Sequence, residues 1–163
     1  MIWCQNDDNN EDTLFKYRLF GAGLQGQLFE VNLRELTVEN QSDSYGGPVW
    51  MMDKNPQNST LACACEDGSL RLFDLSGEHA VYLRSIQMFA FSLFLTSRCK
   101  TRIVSCSWSR DGSMIACGNS DNHLYVYHLD TGKTDTLLVN QAKGEDVILW
   151  SVKFLSSDQY THA

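Results

Sequence analysis

Apolar residues in this chain fall in short runs separated by polar turns, and three segments repeat one design. Residues 19–33, 61–75 and 115–129 each hold an apolar run, then a turn ending in Gly, Asp-Gly or Asp-Asn, then an alternating run. The last run alternates with a period of two, as in Leu70, Leu72 and Asp74 against Arg71, Phe73 and Leu75. That is the period of a β-strand, so each segment predicts a hairpin. Gly68 after Asp67, and Asn122 after Asp121, are residue types that tolerate the positive φ a tight hairpin requires. The leucines just past the turns, Leu28, Leu70 and Leu124, stand 42 and then 54 residues apart. Further strands are predicted upstream of the second and third hairpins at 48–52 and 102–108, and downstream at 80–83 and 134–138. Polar turns at 55–58 and 109–112 separate the upstream strands from their hairpins. Four short antiparallel strands in about 40–45 residues make one blade of a β-propeller.

On this pattern the fold class is all-β, an incomplete propeller. Blades are predicted at 1–40, 47–85 and 102–140, and a further blade starts at 147–163, with 148–154 reading as its first strand. The second interval exceeds the first by 12 residues, and the excess lies at 86–97, an atypical apolar insertion containing MFAFSLFL. Against a 42-residue period, 163 residues amount to three blades and one strand. A closed propeller takes about four to eight blades. The chain therefore reads as part of a longer one, with unpaired end blades and a broad, weakly cooperative unfolding transition when isolated.

Composition narrows the function. Hydrophobic residues make up 43% of the chain, enough for a core, and no apolar run approaches the roughly 20 residues of a spanning helix. The net charge is -7, of which residues 1–48 carry -5. No Lys/Arg cluster offers a phosphate-binding face, which disfavours direct nucleic-acid binding. Asp7, Asp8, Glu11 and Asp12 alternate with Asn as a solvated loop. Six cysteines occur without a C-x-x-C, and Cys63, Cys65, Cys106 and Cys117 sit inside predicted strands, where a reduced thiol behaves as a small hydrophobe. Free thiols in that setting suit an intracellular compartment.

Candidate chemistry is sparse. Gly21, Gly23 and Gly26 spell G-x-G-x-x-G, but an alternating strand follows where a dinucleotide site needs a helix. His123 and His128 are five apart and face opposite sides of one strand, so with Asp121 and Asp130 they do not form a metal site; His79 and His162 lie elsewhere. Ser107, Asp111 and His123 have the residue types of a catalytic triad and nothing in the sequence that joins them. No catalytic, cofactor or metal residue is assigned, and no cofactor or small-molecule substrate is expected. Structural roles are expected for the corner residues Asp67, Gly68, Asp121 and Asn122, the aspartates accepting hydrogen bonds from turn amides. Trp3, Trp50, Trp108 and Trp150 recur at blade-start strands and are read as packing between blades. Which residues bind a partner is not legible.

The aromatic first strand, the turn Ser109-Arg110-Asp111-Gly112, the corners and the alternating strand resemble WD40 repeats. The Trp-Asp position reads Val31-Asn32, Phe73-Asp74 and Tyr127-His128, and no Gly-His opens a blade, so the usual network there is expected to be incomplete. Within the superfamily, residues 18–26, 45–50, 65–73, 102–126 and 148–156 resemble the N-terminal propeller of the cirhin family, WD-repeat proteins of the U3 small nucleolar RNA-associated group. This resemblance implies a non-catalytic nucleolar scaffold of the small-subunit processome, acting in ribosome biogenesis. It would support pre-rRNA processing toward 18S rRNA, with a link to ribosomal DNA transcription. Implied partners are other WD-repeat and U3-associated processome proteins, with mostly indirect contact to U3 RNA and pre-rRNA, and no membrane. The rival readings are a WD40 adaptor of ubiquitin ligation or signalling and, in another class, a propeller enzyme with a convergent acid/base or metal cluster.

Overall fold

A computed structural model describes residues 1–5, 17–88, 101–138 and 148–155. The acidic Asn/Asp loop at 7–12 and residues 89–97 of the apolar stretch lie outside them. Among the described residues, twelve strands form three four-stranded antiparallel sheets, each joined in sequence order. The first holds β1 (Ile2–Gln5), β2 (Tyr17–Ala22), β3 (Gln27–Asn32) and β4 (Thr37–Asp43). The second holds β5 (Val49–Lys54), β6 (Thr60–Cys65), β7 (Ser69–Asp74) and β8 (Val81–Gln87). The third holds β9 (Ile103–Trp108), β10 (Met114–Asn119), β11 (His123–His128) and β12 (Thr134–Leu138). β5 lies against both β1 and β9, so the first strands gather on one side and β4, β8 and β12 form the outer edges. This is the partial propeller that the alternation predicts.

The hairpin turns follow from their residues. Gly26, Gly68 and Asn122 all take positive φ, at 79°, 80° and 65°. In the second sheet the Gly68 amide donates to Cys65 O at 3.2 Å, closing a three-residue loop whose left-handed last position suits glycine.

The middle sheet buries both faces, and residue parity divides β6 and β7 between them. Leu61, Cys63, Cys65, Phe73 and Leu75 face the first sheet, where they pack with Cys4, Phe20 and Leu28. Ala62, Ala64, Leu70 and Leu72 face the third, where they pack with Ile103, Cys106, Trp108, Ile115, Cys117, Tyr125 and Tyr127. A two-residue period on a sheet covered on both sides thus produces two cores from one run of sequence. Ile86 of β8 and Met88 just past it, at the start of the atypical stretch, complete the second core.

Polar latches fasten the sheets where apolar contact ends. Arg18 of β2 meets Glu30 with two hydrogen bonds of 2.6 and 2.8 Å. The same guanidinium donates to the carbonyls of Leu75, Gly77 and Glu78 in the second sheet, at 2.7, 2.8 and 3.0 Å. Between the second and third sheets, the Trp108 amide donates to Asp53 Oδ2 at 2.8 Å and its indole N–H to Asp53 O at 3.0 Å. Asn55, fully buried, donates to Gly112 O at 3.2 Å.

Residues 148–155 do not form the strand that their alternation predicts. Leu149 donates to Asn119 O at 3.2 Å and accepts from Ser105 Oγ at 2.6 Å, and the Phe154 amide donates to Ser107 Oγ at 3.4 Å. The segment therefore lies along the far face of β9 and β10, held partly by side chains and turned at its start by the Trp150 amide donating to Ile148 O at 3.0 Å, and no described residue supplies a backbone ladder for it. Gly118 leaves room for it: a Cβ there would stand 2.6 Å from Leu149 Cβ.

Cys4, Cys63, Cys65, Cys106 and Cys117 are free and buried. Burial pushes the Cys4 thiol up to about 11 and Cys65 to about 12, and raises Cys63, Cys106 and Cys117 as well. The folded chain thus keeps these thiols protonated where an unfolded chain, near 9.0, ionises them. Stability from this source is intact below pH 9.0 and falls as pH rises through about 11. Iodoacetamide at pH 8 is expected to alkylate these five only after urea unfolding, because the thiolate is the nucleophile. Rapid native-state labelling of Cys63 or Cys117 would contradict the buried placement.

Candidate interaction surface

At one end of the sheets, three turns come together. The amide of Ser44 donates to Gly26 O at 2.7 Å and that of Val49 to Gly23 O at 3.3 Å, joining the β4–β5 loop to the β2–β3 turn. The amides of Glu66 and Asp67 donate to Pro48 O and Gly46 O at 2.9 and 3.2 Å, joining that loop to the β6–β7 turn. Gly46 fills the junction, where a Cβ would stand 2.7 Å from Cys65 Cβ.

The corner residues anchor this end in different ways. Asp67 Oδ1 accepts from the Ser69 amide and hydroxyl at 3.0 and 2.6 Å, and its other oxygen holds Arg71. Arg71 also donates to Tyr45 O at 2.7 Å, tying the second-sheet turn to the loop before it. Arg71 is almost fully buried, since its cross-strand partner is Cys63, on the face toward the first sheet. Asp121 instead accepts from the hydroxyls of Thr101 and Ser120, while the amides of Asp121 and His123 donate to Asn119 Oδ1. Gly68 and Asn122 supply the positive φ of the two turns.

The four tryptophans are not equivalent. Trp108 is 4% exposed in the second core. Trp50 is half-buried beside the turn end; its indole donates to Glu66 Oε2 at 2.7 Å, and Arg102 of the third sheet stacks 5.5 Å from its centroid. Arg102 Nε lies 3.6 Å from the same Glu66 oxygen. Trp3 is 60% exposed, edge-on to Tyr17, and Trp150 is 65% exposed.

At the Trp-Asp position, Asn32 accepts from the amides of Arg34 and Glu35, Asp74 from the amide and hydroxyl of Ser76, and His128 pairs with Asp135. Each serves its own sheet's turn or outer strand. The residues resembling a triad do not meet. Ser107 bonds Trp108 O and the Phe154 amide, Asp111 bonds Ser109 and Ser113, and His123 lies against Asp121 O. The Ser109 hydroxyl, ahead of the Ser113 amide and hydroxyl, brings the Asp111 carboxyl down to about 2. Among the described residues, no group of three or more His, Cys, Asp or Glu side chains could hold a metal ion.

Known proteins agree with this architecture. A family model described as the WD40 domain of anaphase-promoting complex subunit 4 matches residues 55–153. The human U3 small nucleolar RNA-associated protein 4 homolog is 33% identical over 85% of this chain. U3 small nucleolar RNA-associated protein 4 of Schizosaccharomyces pombe is 31% identical over 95%, and that of Saccharomyces cerevisiae 24% over 93%. The chain spans about a fifth of the length of these curated relatives. A chain in a crystal structure of the mitotic checkpoint complex shares the fold with a TM-score of 0.61 at 14% identity, covering 78% of this chain and 36% of that one. The repeated four-stranded sheets, the left-handed corner residues and the family match agree, and the chain belongs to the WD40 family.

Proposed function

We propose that this chain is part of a non-catalytic WD40 scaffold in ribosome biogenesis. In this reading it acts within the small-subunit processome, in the nucleolus, and supports pre-rRNA processing and 18S rRNA maturation. The observation that carries the reading is the likeness to U3 small nucleolar RNA-associated protein 4 from human to yeast, over 85–95% of the chain. The charge of -7 supports partners that are mainly proteins, with RNA held indirectly. The rigid turn end, with exposed loops on a fixed frame, supports a binding role as well.

Affinity purification of the longest natural form containing this sequence is expected to recover U3 RNA together with other U3-associated proteins. Recovery of neither would overturn the proposal. A second reading, an adaptor of another WD40 assembly in ubiquitin ligation or signalling, draws on the family model's description. Exclusion from the nucleus would favour it.

A further inference from the structure

We infer that Cys106 and Cys117 are a redox-sensitive dithiol, a modification site at which a hydroperoxide closes a disulfide between β9 and β10. The inference is independent of the scaffold reading above.

Register brings the two residues together. Cys106 and Cys117 are direct cross-strand partners, and both side chains enter the core between the second and third sheets. The Ser109 amide donates to Met114 O at 2.9 Å, which makes those two residues a hydrogen-bonded pair. Pair types alternate along an antiparallel ladder, so Ser107–Ala116 is hydrogen-bonded and Cys106–Cys117 is not. The Trp108 amide, two residues from Cys106, agrees: it points away from β10, to Asp53 Oδ2. Non-hydrogen-bonded partners stand about 4.5 Å apart at Cα, within the span of about 4.4–6.8 Å that a disulfide bridges.

The other described cysteines lack this placement. The cross-strand partners of Cys63 are Met52 and Arg71, that of Cys65 is Val49, and that of Cys4 is Arg18. Cys63 and Cys65 follow one another along a single strand, about 6.4–6.8 Å apart, at the far limit of the bridgeable span.

Each thiol of the pair can therefore resolve an intermediate formed on the other. One sulfur attacks a peroxide oxygen: the S–O bond forms, the O–O bond breaks, and the departing oxygen leaves with the thiol's proton as an alcohol, or as water from hydrogen peroxide. The partner sulfur then attacks the sulfenic sulfur. The S–S bond forms, the S–O bond breaks, and hydroxide leaves with the second thiol's proton as water. Two thiols lose two electrons and the peroxide gains two.

Packing sets the rate. Both thiols are fully buried and held protonated by that burial, so the first step waits for the second and third sheets to part. Such an opening uncovers the face that carries both sulfurs while the β9–β10 ladder stays paired. Oxidation is thus slow and selective.

The test treats the full chain with hydrogen peroxide in native buffer, blocks the remaining thiols with iodoacetamide in urea, and digests with trypsin. Cleavage after Arg102, Arg110 and Lys133 places the two cysteines on separate peptides, 103–110 and 111–133, neither of which contains another cysteine. These peptides are expected as one linked species, two hydrogen masses below their sum, that separates on reduction and accumulates ahead of any other disulfide. Links scattered over the six cysteines would overturn the proposal, as would sulfinic acid at Cys106 or Cys117 in place of the link. Cys106→Ser and Cys117→Ser each remove one resolving thiol. In at least one of them the remaining cysteine is expected to capture dimedone, a sulfenic acid probe, severalfold more than the same residue in the parent. Equal capture in the parent and both variants would also overturn it. The parent digest reads the pair without any substitution, so a poorly folded variant does not decide the outcome.

Discussion

Replacing Trp108 with alanine is expected to remove about 3–5 kcal/mol of stability from the third sheet, the range for truncating a large buried aromatic. The ring is buried in the core between the second and third sheets, directly opposite Ile115. Its loss leaves a cavity there and leaves the Asp53 carbonyl without its indole partner at 3.0 Å. The Trp108 amide bond to Asp53 Oδ2 survives the substitution, so the damage comes from packing and one hydrogen bond. Native-state hydrogen exchange at β9 and β10 is the suitable measurement, because it reads local opening free energies without requiring all-or-none unfolding. Trp108→Phe should restore most of the packing and leave a deficit of about 1 kcal/mol from the unmade hydrogen bond. A loss below that level for Trp108→Ala would contradict the described core.

Arg18→Met should loosen the first sheet from the second by about 2–4 kcal/mol. The guanidinium makes two bonds to Glu30 and three to backbone carbonyls of the neighbouring sheet. Both members of the ion pair are largely buried, at 14% and 13% side-chain exposure, so removing one leaves the other desolvated and unpaired. Methionine keeps much of the stem and removes the charged fork, which itself lies over the Phe20 ring, 4.9 Å from its centroid. Arg18→Lys should rescue little, because an ammonium cannot present five donors in a plane. Exchange protection at β2 and at the β7–β8 turn should fall together in the methionine variant. A fall confined to β2 would show that the three carbonyl contacts contribute nothing.

The sequence reading succeeded where the physics is local. β6 and β10 carry apolar runs, β7 and β11 carry alternation, and their turns carry Gly68 and Asn122, so strand and corner can be read from neighbouring residues. β4 went unseen because Thr37–Asp43 is an outer strand, almost wholly exposed and polar, with no buried face to impose a period. The 148–154 run carries alternation too, but a strand also needs a hydrogen-bonded neighbour, and none of the described residues supplies one. Arg18 and Asp53 gave no signal as ties between sheets, since their partners in the neighbouring sheet lie more than 50 residues away in sequence. Arg71 read as one polar step in an alternating strand, and only the approach of the first sheet makes it a buried tie. At the candidate surface, Tyr45 could have been noticed as a bulky residue just before Gly46-Gly47, where glycines signal unusual backbone. Its exposure depends on the loop's tertiary hydrogen bonds.

The middle sheet's two central strands β6 and β7, whose odd and even residues belong to different cores, constrain how this repeat can change in length. One residue inserted into β6 or β7 would turn every later side chain of that strand through to the opposite core, so Leu61, Cys63 and Phe73 could not keep their partners. Deletions of one residue do the same, and neither core has a solvent side on which to absorb the error. Length can vary without that penalty only outside the sheets. β5, β6, β7, β9, β10 and β11 are accordingly all six residues long, although the two repeat intervals differ by 12. Ten of those residues fall in the connection between β8 and β9, and two in the turn between β7 and β8. The paired cores act as a reading frame, and the connections between blades are the places where the gene can gain or lose codons while the frame is kept.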